Sequence, residues 1–236
     1  EYPTTVTEDE RKRGVLTQDD IRALTKESKK CNIDFVWVAH PAMQRRLDMS
    51  SNATVDQEIT NRLMPKFDSL YELGVREFGI FMDDITIGEG LQQKYTQPYL
   101  IDQVQKRLYE TYNTPEAKEE DKVKPLFYTP TWYTYGLGYA DMQNQCMEAF
   151  KQSNVHEDVV ICFTGDAVCG PINNSSCENF ATRTGRKPCI WWNYPVNDYS
   201  DAQLFTDRID ANFSVSTDTT ECVGVLSNPM NQAEAS

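Results

Sequence analysis

The sequence YELGVREFGIFMDDITI, residues 71–87, decides the fold of this protein. It opens on the end of a helix, turns at Gly74, and then forms a short apolar run over residues 78–82. A short apolar run that follows a helix and is bounded by turn signals is typical of a fully buried parallel strand. The run stops at two adjacent carboxylates, Asp83 and Asp84, and the carboxyl end of such a strand is where α/β folds place their chemistry.

This pair of aspartates indicates acid–base chemistry more strongly than one aspartate would. A single acidic residue after a strand is often only a helix N-cap or part of a solvated turn. Neighbouring residues of a strand point to opposite faces, so both carboxylates reach one pocket only where the strand ends and bends. Repulsion between the two charges raises the pKa of one member. The result is one protonated acid and one ionised carboxylate, the combination that glycoside hydrolysis uses.

The same organisation repeats along the chain. Apolar runs predict six strands, at residues 34–39, 78–82, 124–129, 158–163, 188–192 and 222–226. Apolar spacing predicts helices that begin at Thr17 and that span residues 56–73, 98–112 and 139–152, with Pro65 starting or kinking the second half of its helix. Alternation of strands and helices predicts a parallel sheet. Because polar or aromatic residues follow all six strands, the pattern favours a (β/α) barrel over an open doubly wound sheet.

Composition excludes several classes of partner. The 236 residues carry a formal net charge of −13, which argues against a nucleic acid or an anionic membrane surface. No apolar run approaches the ~18–20 residues that a membrane helix needs, and the first residues do not resemble a signal peptide. Cysteine spacing and the scarcity of histidine argue against a zinc site.

Four N-x-S/T sequons and seven cysteines favour secretion. The sequons start at Asn52, Asn173, Asn174 and Asn212. In an oxidising compartment Cys169 could pair with Cys177, or either of them with Cys189, and so fix the polar loop between them. We therefore expect a secreted or extracellular protein, with a cytoplasmic one as the alternative.

Six stretches, in order, carry a resemblance to a known family. They are IDFVWVAHPAM at 33–43, SLYELGVREFGIFMDDI at 69–85, KPLFYTPTWY at 124–133, VVICFTGDAV at 159–168, WWNYPVNDY at 191–199 and SNPMNQAEAS at 227–236. Together they resemble glycoside hydrolase family 84, the retaining β-N-acetylglucosaminidases that include protein O-GlcNAcases.

The resemblance implies a (β/α)8 barrel and a substrate-assisted mechanism, in which the 2-acetamido oxygen of the sugar attacks its own anomeric carbon. Asp84 would be the general acid and then the base. Asp83 would stay ionised, accept a hydrogen bond from the acetamido N–H and stabilise the oxazoline-like intermediate. Tyr133 would hold the acetamido group in line for attack. No metal or organic cofactor is implied.

The resemblance also assigns sugar-binding residues. Trp191 and Asn193 lie two apart on a strand and therefore face the same way, Trp191 as an apolar wall and Asn193 as a polar contact beside the acids. Asp198 and Asn228 would bind outer hydroxyls, and Thr164 would line the acetamido pocket. Trp192 would face the opposite side and be structural.

Two family motifs of the first two barrel strands, a glycine-rich GxxEGFYG stretch and a lysine-containing loop, are absent from the sequence. We therefore expect residues 1–236 to be one partial catalytic domain that supplies about strands 3 to 8. The first two strands would come from the rest of the parent chain.

The expected function is exo-hydrolysis of terminal β-linked N-acetylglucosamine from glycoproteins or glycans. An endo-acting hyaluronidase would need a groove for a polyanion, which the charge of −13 disfavours. A carbohydrate-binding pseudo-enzyme, or an inactive fragment of the barrel, is the remaining alternative.

Overall fold

Six parallel strands form one continuous sheet. The computed structural model describes residues 2–43, 46–198, 203–206, 208, 213–214 and 221–230. The strands of the main sheet are β1 (Val36–Ala39), β2 (Glu77–Phe81), β3 (Phe127–Thr129), β4 (Val160–Phe163), β6 (Cys189–Trp192) and β8 (Gly224–Ser227). They lie side by side in chain order, and every neighbouring pair is parallel. Two short strands, β5 (Ile172–Asn173) and β7 (Phe213–Ser214), pair separately. All six predicted strands are therefore confirmed.

Helices connect the strands from β1 to β6, as the alternation of patterns predicts, and two more precede β1. They are α1 (Glu8–Lys12), α2 (Gln18–Lys30), α3 (Asn52–Glu58), α4 (Met64–Glu72), α5 (Ile87–Gln92), α6 (Thr96–Tyr112), α7 (Ala140–Gln152) and α8 (Asn174–Thr184). A π-helical turn, Ile59–Leu63, joins α3 to α4, and short 3₁₀ turns occupy Glu119–Asp121 and Tyr135–Leu137. Among these, α1, α5 and α8 are short or polar helices that the apolar spacing did not predict.

Local sequence explains where α2 begins and why a π turn precedes α4. Thr17 caps α2 through a reciprocal capping box with Asp20, as the sequence indicated. The predicted helix over residues 56–73 is one helical run from Asn52 to Glu72 that widens into the π turn just before Pro65. Proline supplies no backbone N–H to the ladder, so the wider turn marks the point where the regular hydrogen-bond pattern is interrupted.

The strands bury one face against the helices and direct the other toward the centre of curvature. On β2, Phe78 packs against Phe67 of α4, whereas Phe81 contacts Trp191 across the inner face. Gly79 lies on the inner face as well, where an added Cβ would meet the side chain of Val38 at 3.1 Å. The apolar core therefore lies between the sheet and its helices, and the inner face leads up to the carboxyl ends of the strands.

The cysteines do not follow the expected pairing. All seven are free, and Cys169, Cys177 and Cys189 form no disulfide. Cys189 is buried on β6 and its Cα pairs in register with that of Cys162 on β4. Cys177 is buried on α8, whereas Cys169 is exposed. The expected pairing was wrong. The three cysteines are close in the sequence, but in the fold their thiols lie in different environments.

The described residues form an open half-barrel rather than a closed one, because β1 and β8 lie at the two ends of the strand order. The outward side chain of Val225 on β8 is 46% exposed. Within the described ranges, no helix has the length and apolar character to cross a membrane. The last residues of two motifs, 199 and 231–236, lie outside the described residues, as does the sequon at Asn212.

Candidate active site

A small cavity of about 150 Å³ lies at the carboxyl ends of the strands. Its lining residues are Asp83, Asp84, Thr129, Tyr133, Thr164, Val168, Trp191, Asn193 and Asn228. Seven of the eight residues predicted from the sequence therefore meet in one place, although they come from five segments of the chain. The arrangement follows from the parallel sheet, since the carboxyl ends of all its strands lie at the same edge.

Asp83 and Asp84 share the cavity because the chain bends between them. Asp83 follows the inner-face position of Phe81 and continues the alternation of β2. Asp84 adopts a left-handed backbone conformation with φ of 58°, which is uncommon for residues other than glycine but is tolerated best by Asn and Asp. The bend that the sequence required at this point is confirmed, and it leaves Asp84 exposed at the rim while Asp83 is partly buried.

Burial has the largest effect on the pKa of Asp83. Burial raises the pKa of Asp83, the neighbouring Asp84 carboxylate raises it further, and His40 lowers it. The member of the pair with the raised pKa is thus Asp83, to which the resemblance gives the ionised role. The reason is geometric, because the strand end buries Asp83 and the left-handed turn carries Asp84 outward.

Tyr133 is held by the backbone that surrounds it. Its carbonyl oxygen accepts a hydrogen bond of 2.8 Å from the backbone N–H of Thr164. Burial, and then the carboxylates of Asp84 and Asp83, raise the pKa of Tyr133, so its phenol remains a neutral donor beside the two acids. The Thr164 hydroxyl donates to the carbonyl oxygen of Ala167 at 3.0 Å, and in this way it fixes the loop that follows β4.

Asn193 connects three elements of the cavity. Its Oδ1 accepts hydrogen bonds of 2.9 Å from the indole Nε1 of Trp191 and from Nδ2 of Asn228. Its Nδ2 donates to the carbonyl oxygen of Val168 at 2.7 Å. The predicted common orientation of Trp191 and Asn193 is confirmed by this contact. Trp192, on the opposite face, is buried and stacks on Tyr194.

The network beneath the aspartates was not predicted. The Thr131 hydroxyl donates to the carbonyl oxygen of Met82, the residue before Asp83, at 3.0 Å. Gln97 of α6 donates from Nε2 to the Thr131 oxygen at 3.0 Å and accepts from the hydroxyl of Tyr128. These buried hydrogen bonds fix the end of β2 to β3 and α6, and so determine where the carboxylates stand.

Two outcomes differ from the sequence-based assignment. Asp198 is exposed and does not line the cavity. Burial, and then the charge of Asp198, raise the pKa of the Cys169 thiol. His40, which follows the first predicted strand and was not assigned to the site, contacts Asp83. The available signal was its position: His40 ends the apolar run of β1 as Asp83 ends that of β2. In the part of the chain that the structure describes, no cluster of His, Cys, Asp or Glu is arranged to hold a metal ion.

Comparison with known proteins agrees with this geometry. A sequence profile described as β-N-acetylglucosaminidase matches residues 15–236. The solved structure of CpGH84D superimposes with a TM-score of 0.73 at 25% identity, over 93% of this chain and 33% of that chain. The solved structure of CpGH84B superimposes with a TM-score of 0.69 at 24% identity, over 98% of this chain and 37% of that chain.

The chain thus spans about a third of the length of the solved structures that it matches. The profile match extends over nearly the whole sequence, and the strand ends that it includes are those that meet at the cavity. The resemblance inferred from the sequence motifs is confirmed: the chain belongs to glycoside hydrolase family 84, the β-N-acetylglucosaminidase family.

Proposed function

We propose that this chain is part of a retaining exo-β-N-acetylglucosaminidase that removes terminal β-linked N-acetylglucosamine by substrate-assisted catalysis. The observation that carries the proposal is the meeting of Asp83, Asp84 and Tyr133 in one cavity at the carboxyl ends of the strands. Two carboxylates and a neutral phenol suffice for this reaction, because the acetamido group of the substrate is the nucleophile and the protein supplies none.

In this mechanism Asp83 interacts with the acetamido group. Its ionised carboxylate accepts a hydrogen bond from the acetamido N–H while the acetamido oxygen attacks the anomeric carbon, and it stabilises the positive charge of the cyclic intermediate. Burial raises the pKa of Asp83 in the free protein. Bound substrate opposes that effect, because an N–H donor and a developing positive charge both favour the carboxylate form. Asp83 is therefore in the state that the reaction needs when the sugar is in place.

Asp84 acts on the other side of the reacting bond. Its exposed position at the rim lets it reach both the departing oxygen and incoming water. It protonates the leaving group in the first step and removes a proton from water in the second, which is work worth ~10²–10⁴ in rate. Tyr133 donates a hydrogen bond that keeps the acetamido group aligned, and Trp191 forms the apolar wall of the cavity.

The size of the cavity and the net charge of the chain favour exo-action on a single terminal sugar. A cavity of about 150 Å³ is small beside the ~300–1,000 Å³ pockets that enclose drug-sized ligands. With a net charge of −13, the chain is a poor match for a polyanionic chain such as hyaluronan. Asn228, which lines the cavity, would contact a sugar hydroxyl, and Asn193 would be a polar contact beside the acids.

We also propose that residues 1–236 are part of one barrel domain and supply about strands 3 to 8 of it. Two further parallel strands from the parent chain would join β1 to β8. The open edges of these two strands support this proposal, since parallel sheets are normally covered and paired. A groove of about 790 Å³ beside β1, lined in part by Trp37, Leu63 and Lys66, is where such a strand and its helix would pack.

The test is hydrolysis of an aryl β-N-acetylglucosaminide by this chain and by the longer protein that contains it, with Asp83→Asn as the matched inactive control. Turnover by the longer protein, with weak or no turnover by residues 1–236, is the expected result. Binding of N-acetylglucosamine without hydrolysis by either form would overturn the proposal in favour of a carbohydrate-binding pseudo-enzyme.

A further inference from the structure

His40 lies between the cavity and the open edge of the sheet. It directly follows β1, and its imidazole reaches the end of β2. Its Nε2 lies 2.8 Å from the carbonyl oxygen of Asp83 and 3.5 Å from Oδ1 of the same residue. Because a carbonyl oxygen only accepts hydrogen bonds, Nε2 carries a proton and donates it.

The contact leaves two buried polar atoms unsatisfied. Among the described residues, neither Nδ1 of His40 nor Oδ1 of Asp83 has a hydrogen-bond partner. Buried polar groups without partners are rare in native proteins and call for an explanation. A small rotation of the imidazole would move the Nε2–H from the carbonyl oxygen toward Oδ1, so one donor serves two acceptors of the same residue.

We propose that His40 is a positioning residue for Asp83, an inference that rests on the proposed function and assigns a further residue to the same site. The Nε2–H fixes the main chain where β2 ends and covers the Oδ1 side of the carboxylate. Since Oδ1 is buried and the Asp83 side chain is 28% exposed, Oδ2 is the oxygen presented to the acetamido N–H of the sugar.

Electrostatics agree with this geometry. Within the described part of the chain, four titratable side chains face Asp83: Asp84 beside it, Tyr133 after β3, Cys162 on β4 and His40 after β1. Of these four, only His40 can carry a positive charge. Burial and Asp84 raise the pKa of Asp83, whereas His40 lowers it, so His40 favours the ionised form that accepts the substrate N–H.

A contact that only tied β1 to β2 would affect stability but not the protonation of Asp83. The experiment therefore follows the Asp83 side-chain carboxyl by carbon-13 NMR in the complete protein that carries this chain, with Asp83→Asn to assign the signal. It compares the wild type with His40→Phe, which keeps the ring shape and removes the donor, and with His40→Gln, which keeps an N–H donor that cannot become charged.

In His40→Phe we expect the Asp83 titration to move to higher pH. The acidic limb of kcat/KM should move in the same direction, and kcat should fall about 10-fold through misplacement of the carboxylate. His40→Gln should retain most of kcat. An Asp83 titration in folded His40→Phe that coincides with the wild-type curve would overturn the proposal.

A second measurement needs no variant. Residues 1–236 contain two histidines, His40 and His156, so the ring nitrogen-15 signals are simple to separate when they are recorded on this segment. The proposal requires a proton on Nε2 of His40, and observation of the neutral form protonated only at Nδ1 would contradict it. Both NMR readouts are independent of turnover. Absence of hydrolysis would therefore count against the proposed function, while the titration and the ring signals would still decide the role of His40.

Discussion

Asp84 is the residue at which the chain leaves the extended conformation of β2 and turns beside the cavity. Its left-handed conformation lets two consecutive carboxylates face one cavity, which a continuing strand would forbid. A side chain held in this sparsely populated region at a reaction centre is a common form of functional strain. The two carboxylates consequently differ in burial. One prediction follows from their different roles in the proposed reaction, and a second follows from the burial of Asp83.

Replacement of the two aspartates should give different leaving-group dependences. Asp84→Ala should impair substrates with poor leaving groups far more than substrates with activated phenols, because phenolates depart without protonation. Asp83→Ala should impair both alike, since the acetamido step precedes any help to the leaving group. Steady-state kinetics on a series of aryl β-N-acetylglucosaminides check this. Equal losses for Asp84→Ala across the series would show that Asp84 is not the general acid.

Asp83→Asn should stabilise the protein at neutral pH while abolishing its function. The pKa of Asp83 is raised above its usual value of 3.8, so the folded state favours the protonated form. The stability that this contributes is complete below pH 3.8 and is lost as pH rises through the folded pKa. The neutral amide avoids that loss at pH 7, and Tm should rise by about 2 °C or more.

Thermal unfolding at pH 7 and at pH 3.5 or below measures this effect, and the gain should disappear at the lower pH. Glu120→Gln, on an exposed turn, is the matched control and should leave Tm unchanged. A lower Tm for Asp83→Asn at pH 7 would contradict the prediction.

At the scale of elements, α5 is placed by its contact with the strand that supports the site. Gly90 of α5 faces Thr131, and a Cβ added there would lie 2.7 Å from Thr131 Cγ2 and 2.8 Å from its Cβ. Thr131 in turn donates to the carbonyl oxygen of Met82. The absence of a side chain at position 90 therefore lets the helix that follows the aspartates pack against the end of β3.

Gly90→Ala should destabilise the fold by about 1–3 kcal/mol, because overpacking forces Thr131 or the helix to move. Gly88→Ala in the same helix is the control: its nearest neighbour would be Thr86 Oγ1 at 3.8 Å, an ordinary contact. That substitution should be neutral or stabilising by up to ~1 kcal/mol through helix propensity. Urea unfolding of both variants decides between these outcomes, and equal unfolding free energies would refute the packing argument.

At the scale of the whole molecule, the open edges of the main sheet are the feature that should govern association. The described strands leave β1 and β8 without a further neighbour in the main sheet, and the β8 edge exposes the apolar side chains of Val223 and Val225. An unpaired apolar edge is a template for association with another chain. The completed barrel would remove both edges.

Residues 1–236 alone should therefore associate at micromolar concentrations, and Val225→Lys should shift them toward monomer, because a lysine on an edge strand disfavours edge pairing. Sedimentation velocity over a range of concentrations measures the change. Leu24→Lys, an exposed apolar position on α2, is the control and should not alter association. A Val225→Lys chain that associates as the wild type does would show that β8 is not the associating edge.

The sequence by itself determined the six strands, the main crossover helices and the grouping of the candidate site residues at the strand ends. Apolar runs and their periodicities report burial directly, and parallel strands necessarily bring their carboxyl ends to one edge. This is why Asp83, Tyr133 and Asn193 could be grouped without coordinates, although they are far apart in the chain.

Only the tertiary structure decided which carboxylate is buried, what His40 contacts, and where Asp198 and the cysteines lie. These properties depend on a single backbone dihedral at Asp84, on ring placement across two strands, and on loop paths after β4 and β6. None of them changes the hydrophobic pattern. The position of His40 after its apolar run indicates that it lies at the same edge of the sheet as Asp83, but not which atoms it contacts.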